Sequence, residues 1–255
     1  MSRFPIFRKY TIVFLFLSFS ETCLHAANRG ISLKIDLVAI SSSADTLTTQ
    51  IAVDRLIDPS VDAQTTSATI DRLTLAAKQF AGPNPDDNHK FAAIRKVIYE
   101  AGPWNDNRPF SYDHADPLGS NYHNKLLSTY VKTRLGNCVS MPTLFLIIAE
   151  RLGLNVAFST APLHVFIIYT TPKGTRVNVE ATNGGHFERP TRYQETTPMS
   201  DRAIASGLYM RRLSHEEGVA LQASTVVDAL IAQGKYQEAV EVADVILKHL
   251  SLIHI

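Results

Sequence analysis

An α+β fold follows from three observations. Helical spacing of apolar residues fills the first half of the chain and returns near its end, the segment from Val139 to Leu152 is apolar almost all round, and two β-branched, aromatic runs follow it across a Pro/Gly loop. Helices, then antiparallel strands, then helices again is the α+β arrangement.

The first segment is an export signal. Arg3, Arg8 and Lys9 precede an apolar run from Tyr10 to Phe19 and a small-residue stretch ending at Ala26-Ala27, so residues 1–26 are expected to be cleaved. The run is shorter than the roughly 20 residues that span a bilayer. Cleavage discards Cys23 with the signal. A lipoprotein reading would retain Cys23 as an acylated residue, but Ser20-Glu21-Thr22 puts a charge where small apolar residues are wanted. The mature chain is therefore expected to be soluble and periplasmic or secreted. The formal charge of the full sequence, +1, without Lys/Arg clusters, offers no footprint for nucleic acid, and no second apolar segment reads as a membrane span.

Asn28 to about Ser60 is polar, with Leu47, Ile51 and Leu56 hinting at a short helix. Ile70, Leu73, Ala76, Ala77 and Phe80 recur at helical spacing up to the stop Gly82-Pro83, and Asp86-Asp87-Asn88 caps a second helix with Phe91, Ile94, Val97 and Ile98 on one face before Gly102-Pro103. Pro103 to His123 has no periodicity but carries Trp104, Phe110, Tyr112 and Tyr122, which predicts an ordered loop beside the site. Leu126, Leu127, Tyr130 and Val131 mark a short helix that Gly136 is expected to close. The apolar segment Val139 to Leu152 reads as a central buried helix with Pro142 in its first turn, which puts Cys138 at or just before the helix start.

His164 to Thr171 and Thr175 to Thr182 read as strands joined by Pro172-Lys173-Gly174. A three-residue loop sets His164 opposite Thr182 and Phe166 opposite Glu180, so His164 and Glu180 become diagonal neighbours on one face. Once the signal is removed, Cys138 is the only cysteine, and a lone thiol at a Gly-Asn helix start reads as a nucleophile. Cysteine, histidine and carboxylate are what thiol catalysis requires: the imidazole shuttles the proton, the acid fixes its tautomer, and the Cys138 N–H supplies half of an oxyanion hole. Tyr130 and the Asn121 to Asn124 loop are candidates for the other half by proximity. His186 is the nearest of the remaining histidines. Asp113, His114 and Asp116 look like a ligand cluster but read as capping and turn groups, and no metal or cofactor is expected. A metal-dependent hydrolase built on His114 and its acidic neighbours is a separate reading.

The segments Arg134-Leu-Gly-Asn-Cys-Val-Ser-Met141, Ala149-Glu-Arg-Leu-Gly-Leu154, Leu163-His-Val-Phe166 and Val177-Asn-Val-Glu-Ala-Thr-Asn-Gly-Gly185 together resemble the transglutaminase-like core of the bacterial SirB type. The resemblance covers about Asn28 to Phe187. It implies a papain-related α+β core with Cys138 as nucleophile, His164 as general acid/base and Glu180 as the orienting acid. The family's third member is usually Asp, one methylene shorter, and Asn183 is the substitute if Glu180 does not serve. Asn183-Gly184-Gly185 also reads simply as a turn.

Residues 28–195 are thus expected to form the core. A Pro, Thr and Tyr-rich link from Phe187 to Pro198 leads into a helical segment, 199–255, in which Ala220 to Leu250 resembles one tetratricopeptide repeat around Ala232-Gln-Gly-Lys-Tyr-Gln-Glu-Ala239. One such unit must pack on the core or be continued by further repeats. One reverse translation of the apolar ending Leu250 to Ile255 resembles a transposon end used in library construction, so a truncated, read-through carboxy terminus is expected. The leading functional expectation is an exported cysteine enzyme acting on amide or acyl bonds of peptides or proteins through a thioester. The alternative is a non-catalytic periplasmic adaptor, since relatives without the cysteine exist and the helical repeats offer a surface to a protein partner.

Overall fold

The computed structural model describes residues 45–249; the expected export signal, Cys23 and the ending 250–255 lie outside them. The polar lead-in supplies helix α1 (Thr46–Ile57), started by the Asp45 carboxylate accepting the Thr48 N–H. Helices α2 (Ala63–Ala81) and α3 (Asp87–Tyr99) form the antiparallel pair that the spacing predicts, capped by Asp62 and Asp86. Asn105, wholly buried, ties the following turn to α3 by donating to the carbonyls of Val97 and Glu100.

The aromatic segment after Pro103 is ordered. Its residues Ser111–Tyr112 (β1) pair in parallel with Leu135–Gly136 (β2), across helix α4 (Leu127–Thr133). The stop of α4 falls at Arg134, φ 70°, rather than at Gly136. A left-handed arginine is unusual, and here the guanidinium compensates: it donates to the Val131 carbonyl at 2.6 Å, pairs with Asp106 at 3.1 Å and lies over the Phe110 ring. Gly136 is instead required for close packing, because a side chain there would meet the Tyr130 ring at 2.5 Å and Ser140 Oγ at 2.6 Å.

Helix α5 (Ser140–Arg151) is the central one, with Leu144, Phe145, Leu146, Ile147 and Ile148 all buried. A four-stranded antiparallel sheet follows in order β3-β4-β5-β6: Val156–Ala161, His164–Thr170, Arg176–Glu180 and His186–Glu188. Two of these strands, β3 and β6, were not among the expected elements. The β4/β5 register, Ile167 to Val179 and Thr170 to Arg176, is the one that a three-residue loop dictates. Strand β4 is buried on both sides, which explains its unbroken apolar run. Val165, Ile167 and Tyr169 join the core around α5, while Phe166 and Ile168 meet Tyr193. Asn183-Gly184-Gly185 turns the chain into β6, and Gly185, φ 69°, sits so close to Phe145 that an added Cβ would lie 2.3 Å from the ring.

The stretch expected to be a link is helix α6 (Pro190–Thr196), with Pro190 at its first position, followed by the single-turn α7 (Asp201–Ala205). Main-chain bonds from Met210 to Thr160 and from Leu213 to Phe158 then cover the β3 edge. Helices α8 (His215–Ala232) and α9 (Tyr236–His249) form a hairpin turned at Gly234, φ 71°. It packs on α1 through Val53, Val219, Ala220, Ala223 and Val226. The buried Asp54 accepts from Gln50 Nε2 at 2.8 Å and the Ser128 N–H at 2.7 Å, and Gln222 donates to the Thr46 carbonyl and to Gln50 Oε1. Asp228 of α8 also holds Lys125 at 2.7 Å. No helix among the described residues is long and apolar enough to cross a membrane.

Substituting Gly185→Ala combines a left-handed β-carbon with a clash against Phe145, and is expected to cost about 3 kcal/mol. Thermal and urea melts of the variant measure this directly.

Candidate active site

Cys138 lies two residues before α5, in a turn fixed from both sides. The Asn137 side-chain oxygen accepts the Val139 and Ser140 N–H groups, at 2.9 and 3.3 Å, so it caps the helix. Ser140 Oγ accepts the Asn137 N–H at 3.2 Å and donates to the Asn124 carbonyl at 2.6 Å. The thiol is half-buried, 3.8 Å from the Leu163 carbonyl oxygen, with the His164 ring beside it.

His164 opens strand β4. Its Nε2 is 2.7 Å from Glu180 Oε2, which leaves the other ring nitrogen for the thiol. Glu180, at the end of β5, reaches the imidazole across the diagonal of the hairpin. The extra methylene of Glu over Asp is accommodated because both carboxylate oxygens are anchored. Oε1 accepts the Thr182 N–H at 3.0 Å and the Thr182 hydroxyl at 2.6 Å, and Oε2 also accepts the Tyr193 hydroxyl at 3.1 Å. Asn183, the alternative orienting group, is exposed, and among the described residues no hydrogen bond joins it to His164. His186 pairs in register with Glu180 from β6, with an exposed side chain.

The electrostatics follow from these contacts. Burial opposes a charge on His164, but the neighbouring Cys138 and the hydrogen-bonded Glu180 outweigh that, and its pKa is pushed up to about 10. Burial likewise opposes the Glu180 charge, yet His164 and Thr182 hold the carboxyl below its usual range.

The other candidates are placed differently. The amide of Asn124 spends its hydrogens on Asp113 and Asp116, at 2.9 and 3.0 Å, and the Tyr130 hydroxyl is buried near Tyr99 without a partner. The Asn124 amide is thereby spent and offers no donor to an oxyanion at Cys138. Asp113 and Asp116 also accept backbone N–H groups of their own loop, and His114 is exposed beside Tyr112. Among the described residues no group of three or more His, Cys, Asp or Glu side chains is placed to hold a metal ion.

Two further residues stand near these groups, Tyr112, read in the sequence only as one of the loop aromatics, and Tyr193, missed there. Tyr112 lies near enough to Cys138 for a thiolate there to raise its pKa, after the larger effect of burial, and its hydroxyl donates to the Pro117 carbonyl at 3.1 Å. Tyr193 is buried, stacks on Phe166 at 4.2 Å and reaches Glu180 from α6. Its available signal was Pro190, a helix-starting residue three positions earlier.

The model of the transglutaminase-like superfamily matches residues 64–206, more than half of the chain. The chain belongs to that superfamily. The matched span runs from α2 through α7 and includes Cys138, His164, Glu180 and Tyr193, and the superfamily links the chain to cysteine-dependent enzymes. Searches of curated proteins and of solved structures found no match.

The His164 contribution to stability is full below its ordinary pKa of 6.5 and is lost as pH rises through about 10, whereas that of Glu180 is present above 4.5 and is lost as pH falls. The stability difference between wild type and His164→Ala should therefore peak between those two ordinary values and shrink toward pH 10. Urea denaturation at stepped pH tests this. Tyr193→Phe keeps the ring stack but removes a donor to a carboxylate, and should cost about 1.5 kcal/mol at pH 7 by the same method.

Proposed function

We propose that this protein is an exported cysteine enzyme of the transglutaminase-like superfamily that cleaves or transfers amide and related acyl groups of peptides or proteins. The observation that carries the reading is the chain of contacts from Cys138 through His164 to Glu180, drawn from a helix start and two strands. The Cys138 thiolate attacks the carbonyl carbon, and electrons move onto the carbonyl oxygen, toward which the Cys138 N–H points. Protonated His164 gives its proton to the leaving amine as the C–N bond breaks, leaving a thioester. Water or an acceptor amine then attacks, His164 takes its proton, and the acyl group departs as the thiolate is restored. Glu180 holds the imidazole in register throughout.

In this reading residues 28–195 are the catalytic core of SirB type, and 199–255 are a tetratricopeptide-like helical segment. Residues 1–26 direct the chain to the periplasm or the exterior. Hydrolysis and transfer use the same groups and differ in which acceptor reaches the thioester.

The pH dependence of iodoacetamide alkylation at Cys138, in mature protein and in His164→Ala, tests the proposal. Wild type should be alkylated at neutral pH much faster than free cysteine, and the variant should lose that excess. No excess over free cysteine in either protein sinks the catalytic reading.

A further inference from the structure

Resting on that function, we propose that Leu163, with Leu118 on the neighbouring loop, selects acyl donors bearing an apolar side chain beside the reacting carbonyl. Ala161 and His164 close a two-residue turn whose central residues are Pro162 and Leu163. Proline fixes its own φ near −65°, which suits the first central position of a turn, and a left-handed second position is suited to Gly or Asn. Leu163 adopts φ 57° there with a fully exposed side chain, so no burial offsets the strain. Strain retained without a packing return points to a role in function. Its carbonyl is the group 3.8 Å from Cys138 Sγ, which puts the leucine at the thiol's edge.

Leu118, 90% exposed, belongs to a loop that reaches the residue before the same cysteine. The preceding carbonyl, of Pro117, takes the Tyr112 hydroxyl, and at the following Gly119, φ 62°, an added Cβ would lie 3.2 Å from the Asn137 amide, next to Cys138. The two most exposed large apolar residues among those described therefore both belong to turns that meet the cysteine turn. A substrate that brings its carbonyl to Cys138 comes up against those turns. An apolar side chain there removes both leucines from water, whereas a charged one gains nothing from them.

The test compares second-order alkylation of Cys138 by iodoacetamide, N-hexyl iodoacetamide and N-carboxypentyl iodoacetamide, each forming an S–C bond as iodide leaves. In wild type the hexyl reagent should outrun iodoacetamide by about tenfold and the carboxypentyl reagent should not. That ratio should fall toward one in Leu163→Asn and in Leu118→Asn, and persist in Leu75→Asn, a substitution on the exposed surface of α2. Leu163→Asn should also raise the melting temperature by about 2 °C, as relief of backbone strain predicts. An unchanged ratio in Leu163→Asn, or no hexyl preference in wild type, overturns the proposal. If Cys138 is inert to every reagent, the enzymatic reading fails separately. Methyl NMR of Cys138→Ser with N-acetyl-leucinamide then decides, because shifts at Leu163 and Leu118 support selection and their absence overturns it.

Discussion

The turn that carries Cys138 depends on one interlocked set of hydrogen bonds at the start of α5. Asn137 caps the helix, Ser140 reaches back to the Asn137 N–H and across to the Asn124 carbonyl, and Asn124 is itself gripped by Asp113 and Asp116. Gly136 must lack a side chain for Tyr130 and Ser140 to close beneath the turn. The irregular aromatic segment is thus explained by what it holds. Its backbone pairs with β2 and its carboxylates brace the loop over the helix start, so ordering about twenty residues without regular structure positions a single sulfur.

From that point the sheet does the rest. A strand buried on both faces cannot slide, because a slip of one residue would turn Phe166 and Ile168 toward α5 and Ile167 away from it. Register is therefore fixed by packing, and the diagonal between His164 and Glu180 inherits that precision. The carboxylate is then saturated by four donors, from His164, Tyr193 and both donors of Thr182, so it has little freedom to turn away from the imidazole.

Much of this was legible in the sequence, where the cause was local. The β4/β5 register follows from a three-residue loop, and the caps of α2 and α3 from Asp62 and Asp86. What escaped had its cause elsewhere in the chain. Val156 to Ala161 is a mix of Ala, Ser and Thr with few large residues, and it becomes a strand because β4 and the 210–213 main chain pair with both its edges. Arg134 ends α4 only because Asp106 and Phe110 receive its guanidinium. Tyr193 read as part of a link because its partners, Phe166 and Glu180, belong to strands.

Helix α8 touches this machinery at one remove. Asp228 grips Lys125, the residue after Asn124, whose carbonyl receives Ser140 Oγ at the first turn of α5. Two polar contacts therefore span the distance from the hairpin to the cysteine turn, and both end on the same short 3-10 segment, Tyr122–Lys125. A load applied to α8 thus has a polar route to the cysteine turn in addition to the apolar packing of the hairpin on α1.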